Sequence, residues 1–105
     1  MDQSPPRDLR EYFSERLPHR FHEVEDAWRD VRESGWGPEP VRRFHRLAHS
    51  LAGTGSTFGF PAVSEAARRL EVLLQGTAEG VAPPPDAGRV EELLGELRRA
   101  TSPGS

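Results

Sequence analysis

From one end of this 105-residue chain to the other, apolar residues recur every three or four positions, in runs cut short by glycine and proline. That spacing keeps one stripe of an α-helix apolar and leaves its remaining faces polar. No segment shows the alternating, β-branched pattern of a strand, so the chain is confined to helices packed stripe to stripe. Hydrophobic residues make up 34% of the sequence and charged residues 30%, a balance that suits thin amphipathic helices better than stacked sheets. The length allows one domain with one modest core.

Leu9, Phe13, Leu17, Phe21, Val24, Trp28 and Val31 mark a first helix from about Pro6 to Arg32. Pro18 falls inside it, which predicts either a kink or two helices, and a periodicity that crosses the proline in phase favours the kink. Ser34 to Pro40 carries two glycines and two prolines and starts a second helix, with Trp36 as a lid over one end of the bundle. Phe44, Leu47, Ala48, Leu51, Gly55 and Phe58 form its apolar stripe. Gly59-Phe60-Pro61 marks the next break, with proline at the first position of a third helix whose stripe is Val63, Ala67, Leu70 and Leu74. Gly76 to Pro85 is a connection, and Asp86 is placed to cap a fourth helix that buries Val90, Leu93, Leu94 and Leu97. The expected fold is all-α: an antiparallel four-helix bundle with an additional or kinked N-terminal helix, one domain over 1–105, with short flexible ends at about 1–5 and 101–105.

Several function classes fall away. A net charge of −3 argues against a nucleic-acid binder. No apolar run approaches the roughly 20 residues that span a bilayer, and the N-terminus lacks the pattern of a secretory signal, so a cytoplasmic location without membrane contact is expected. There is no cysteine, hence no disulfide and no thiol chemistry. Ser50 and Thr54 follow no nucleophile elbow, and no nucleotide-binding glycine loop is present, so phosphate is not expected to come directly from ATP.

The second helix carries the chemistry. At about 100° per residue, His49 stands roughly 140° from the Phe44 direction, toward solvent, with Gly53 one turn later on the same side. A helical glycine costs about 0.5–1 kcal/mol relative to alanine, so Gly53 and Gly55 need a reason. Access to His49 is one, and close helix packing at Gly55 is another. A histidine that accepts a group needs a neutral ring nitrogen, exposure for in-line attack and steadying neighbours; the bland alternative is a surface histidine on a solvated face. His45, one turn earlier, would make an i, i+4 pair for zinc, but two ligands alone make no tight site and no metal is expected. His19 and His22 read as ordinary surface histidines.

The run His49-Ser50-Leu51-Ala52-Gly53-Thr54-Gly55, followed by Thr57-Phe58-Gly59-Phe60 and Ala66-Ala67-Arg68-Arg69-Leu70-Glu71, resembles the histidine phosphotransfer (HPt) family, helical bundles that relay phosphoryl groups between receiver domains. The matching stretch runs from about Val41 to Leu74. The resemblance implies that His49 is the phosphoacceptor, taking the group from a receiver aspartate and passing it to another receiver. It implies a carrier without kinase activity, with no cofactor of its own and with Mg2+ on the partner. Its partners would be receiver domains of response regulators or hybrid histidine kinases, docking over His45, Ala52, Gly53, Ser56, Thr57 and Phe60.

In that family the residue three after the acceptor is commonly lysine, whereas here it is Ala52. Arg46, Arg42, Arg68 and Arg69 are the candidates to hold the phosphoryl charge instead. The competing reading has these arginines pairing with Glu39, Glu65 or Glu71 as solubilising surface charge. The competing function is a phosphorylation-independent adaptor that binds a signalling partner through a helical face. The starting methionine and short polar ends suit a free-standing protein, an excised module of a larger sensor kinase or regulator being the other reading.

Overall fold

The computed structural model describes residues 7–102, which form four helices: α1 (Arg7–Glu33), α2 (Pro38–Thr57), α3 (Pro61–Ala78) and α4 (Ala87–Thr101). They run up and down in a ring. α1 packs on α2 and α4, α3 packs on α2 and α4, and the diagonal pairs make no close backbone approach. The α2–α3 seam is the most extensive of the four.

Three of the four ends follow one piece of local chemistry. After α1, α2 and α3 the chain enters a left-handed residue at Gly35, Gly59 and Gly80, with φ of 64°, 80° and 76°. The next amide reaches back five residues in each case: Trp36 to the Val31 carbonyl at 2.8 Å, Phe60 to Gly55 at 2.7 Å and Val81 to Gly76 at 3.0 Å. This is the Schellman closure, and it satisfies carbonyls that a helix end would otherwise leave bare. Proline then opens α2 and α3, where a missing N–H costs nothing. Trp36 also takes a left-handed φ, 64°, and is held there by its hydrogen bond and by its ring, 5.5 Å from Trp28 in an edge contact. It closes one end of the bundle, as the sequence suggests.

The core contains the expected stripes apart from Leu9, which is exposed, with Phe44, Leu70, Leu74, Leu93 and Leu97 fully buried and Leu47 and Phe58 partly buried against them. At the other end Phe13 stacks on Phe58 at 5.1 Å and packs on Phe60 at 5.5 Å. Of the two expectations at Pro18, a kinked helix or two helices, the second falls: α1 is one continuous helix through the proline, and the buried stripe on both sides holds the turns together. Two further expectations are corrected. Asp86 sits at the N-cap of α4, but its side chain makes no capping hydrogen bond; only its carbonyl accepts, from the Arg89 and Val90 amides. Thr101, placed in the frayed tail, is the last helical residue and is buried, its hydroxyl donating to the Arg98 carbonyl at 3.1 Å. The tail expected at 1–5 and the residues after Ser102 lie outside the described residues.

Among the described residues each seam of the ring is bridged by side chains of its two helices: the ion pairs Arg43–Asp30 for α2–α1, Arg98–Glu25 for α4–α1 and Arg69–Glu96 for α3–α4, and the His49–Glu71 hydrogen bond for α2–α3. Exposed pairs of this kind contribute little to stability. The last one differs from the others in having an imidazole as its donor.

Candidate functional site

His49 stands on the outer flank of α2 where α3 passes beside it. Its side chain is 72% exposed, while the carboxylate it meets, Glu71 of α3, is 16% exposed. His49 Nδ1 lies 2.6 Å from Glu71 Oε2. A carboxylate oxygen only accepts, so Nδ1 carries the proton and donates it, and in the neutral ring the lone pair is then on Nε2. The same hydrogen bond fixes the plane of the ring.

The α2–α3 register that brings these two groups together is set one to two turns away. A Cβ at Gly55 would lie 3.0 Å from the Ser64 backbone nitrogen and 3.3 Å from the Phe60 carbonyl oxygen, so this glycine is what lets α3 approach. Next to it the Ser64 hydroxyl donates to the Ala52 carbonyl at 2.8 Å. Glu71 is two turns of α3 beyond Ser64 on the same flank, which puts it beside His49.

Gly53 behaves in the opposite way. It is exposed, and a Cβ built there would meet nothing within 4 Å. No packing inside the protein requires a glycine at that position, and the space over the turn after His49 is open. Helical side chains lean toward the N-terminus, so residues 52, 53 and 56 are the ones that could cover the imidazole from α2. They are Ala52, Gly53 and Ser56, all small.

The expected docking residues divide. Gly53, Ser56 and Thr57 lie on the exposed face, the Thr57 hydroxyl donating to the Gly53 carbonyl at 3.0 Å. Ala52 does not: it is buried under α3, because the broad α2–α3 seam widens the apolar arc of α2 beyond a single stripe. Phe60 is half-buried against Phe13, and the Arg10 guanidinium covers its ring at 4.7 Å. His45 is also half-buried, and its Nε2 is enclosed with no hydrogen-bond partner, so it does not belong to the open rim.

The arginines divide as well. Arg42 is hydrogen-bonded to Glu39, and that bond together with the Arg42 charge holds the Glu39 carboxyl below its ordinary range, with a smaller contribution from Arg46. Arg69 is drawn away toward α4 by Glu65 at 2.8 Å and Glu96 at 3.3 Å. Arg46 and Arg68 are exposed on the flanks of α2 and α3. Of the three carboxylates considered as arginine partners, Glu39 and Glu65 take that role, and Glu71 is engaged by His49 instead. Glu71 and Ser64 are the site residues that sequence reasoning missed. The signal for Glu71 is its distance from Gly59: twelve residues beyond the turn, against ten before it for His49.

Among the described residues no group of three or more His, Asp or Glu side chains is placed to hold a metal ion, and no helix is long and apolar enough to cross a membrane. No curated protein and no solved structure matches the chain. A family model does, the Hpt domain, over residues 8–100. With an exposed histidine steadied on α2 of a four-helix bundle and a family match across nearly its whole length, the chain belongs to the Hpt domain family, the phosphotransfer carrier modules of phosphorelays.

Proposed function

We propose that His49 is the phosphoacceptor of this domain, that it takes the phosphoryl group from a receiver-domain aspartate on Nε2, and that it hands the group to a second receiver. The observation that carries this reading is the Nδ1–Glu71 hydrogen bond on an otherwise open imidazole. With Nδ1–H committed to the carboxylate, the Nε2 lone pair points to solvent. It attacks the aspartyl phosphorus as the P–O bond to the aspartate breaks, and the aspartate leaves as carboxylate. Positive charge grows on the ring as the N–P bond forms, and Glu71 is already in position to offset it. No proton has to leave the imidazole in this step.

The partners are receiver domains of response regulators or hybrid histidine kinases, and Mg2+ belongs to the receiver. The small residues around His49 leave room for an aspartyl phosphate and its metal to approach in line. The bundle supplies a nucleophile and a docking surface, and the receiver supplies the rest of the catalytic apparatus. The chain acts as a carrier in stoichiometric turnover.

A second reading, a phosphorylation-independent adaptor, draws on Ala52, which brings no charge to His49 and is buried. Incubation with a receiver labelled on its aspartate separates the two. The relay predicts transfer of label to the wild-type chain, none to His49→Gln, and receiver binding retained in both. Binding and signalling that both survive His49→Gln would establish the adaptor.

A further inference from the structure

The α1–α4 seam lies across the ring from the one that carries His49, and it is the least extensive of the four. A groove opens along it. The two helices are antiparallel, and the Arg98–Glu25 pair at 3.0 Å fixes their register. Counting along both helices from that pair puts Gly95 level with Trp28 and, a turn further, Glu91 level with Arg32; all four line the groove. Gly95 is half-buried in the middle of α4, where glycine costs about 0.5–1 kcal/mol relative to alanine. A Cβ built there would meet only the Arg99 guanidinium of the same helix, at an ordinary contact distance of 3.7 Å, and no described atom of α1. Unlike Gly55, it is not required by packing inside the chain.

The charges along the groove are ordered. Arg32 on α1 and Glu91 on α4 mark one end, and Glu25 on α1 and Arg98 on α4 mark the other, so the signs alternate around its four corners. Between them on α1, Asp26 lies toward the Glu25 end and Arg29 toward the Arg32 end. Three carboxylates and three guanidiniums leave the groove with no net charge. A nucleic acid, or a peptide of one sign, would meet as many like charges as opposite ones. A surface with the same alternation, turned end for end, meets an opposite charge at every corner.

The geometry points to the α1–α4 groove as an interface with a second copy of this chain, α1 lying antiparallel to the partner's α1 about a twofold axis at the level of Gly95 and Trp28. Such an axis makes the contact isologous, each pair occurring twice. Arg32 then faces the partner's Glu25, Glu91 faces the partner's Arg98, and Arg29 comes beside the partner's Asp26. Gly95 lies at the axis, where the absence of a side chain lets the two α4 backbones draw together. Ion pairs on an open surface are individually weak and are screened by salt, so the dimer is concentration-dependent and loosens as ionic strength rises. Because this seam is opposite the α2–α3 seam, both His49 rings stay on the outer faces of the pair. The assembly does not depend on what His49 does.

Sedimentation equilibrium of the full chain over a rising concentration series tests this. The wild type should move from the mass of one chain toward twice that mass, and added salt should reverse the shift. Arg32→Glu and Glu25→Arg each set like charges against each other twice in the dimer, and each alone should weaken association about ten-fold, the equivalent of roughly 1.4 kcal/mol. An equimolar mixture of the two variants restores opposite charges at those corners and should associate about as well as the wild type. Gly95→Gln props the two α4 helices apart while improving helix propensity, so it should be monomeric with an unchanged or raised thermal midpoint, which separates loss of the interface from loss of the fold. A wild type that stays monomeric at every concentration, a mixture that fails to recover association when both variants are folded, or full association in Gly95→Gln overturns the inference.

Discussion

Two glycines two positions apart do opposite work on α2. Gly55 is pressed against the α3 backbone, and its neighbours there are main-chain atoms that cannot swing aside. Gly55→Ala should therefore cost about 1–3 kcal/mol from overpacking, only partly offset by better helix propensity. Gly53 has open space where a methyl would go, so Gly53→Ala should stabilise the fold by about 0.5–1 kcal/mol. Urea denaturation of the two variants checks the opposite signs, and two shifts of the same sign would show that the seam is not packed as described. A glycine whose cost has no return inside the protein fits a surface that a partner must approach. The identity of the exposed histidine and the clearing at Gly53 were legible in the sequence. Its partner Glu71 was not, because a contact between residues 22 apart depends on how far α3 slides along α2. That register is fixed by Gly55 and Ser64 in three dimensions, with no local periodicity to reveal it.

The helices themselves were readable almost to the residue, since each of the first three ends on a glycine that enters the left-handed region and permits a Schellman closure. At two places tertiary packing overrides a local signal. Pro18 left open a kink or two helices, and with Leu17 and Phe21 on either side both buried in the same core α1 runs through as one helix. Ala52 looked like part of an exposed rim by its place after His49, but α2 is covered by two neighbours and buries a wider arc than one stripe. An interior proline costs a helix about 3 kcal/mol in a neutral context. Pro18→Ala is accordingly expected to raise stability, by about 1–3 kcal/mol where the surroundings have already adapted. Thermal unfolding followed by circular dichroism measures this, and a lowered midpoint would mean that the proline shapes α1 in a way the rest of the bundle needs.

At the scale of the molecule, four helices in a ring hold one imidazole at a seam where the other three seams hold arginine–carboxylate pairs. The bundle is a rigid mount: the two elements that supply His49 and Glu71 share the most extensive interface in the protein. The proposed transfer turns on one atom, Nε2 of His49. Phosphorus NMR of the phosphoramidate-treated chain, comparing wild type with His45→Gln and His49→Gln, addresses it directly. A phosphohistidine of the Nε2 isomer is expected in the wild type and in His45→Gln and is expected to be absent from His49→Gln; a signal that persists in His49→Gln, or one from the Nδ1 isomer, would contradict it.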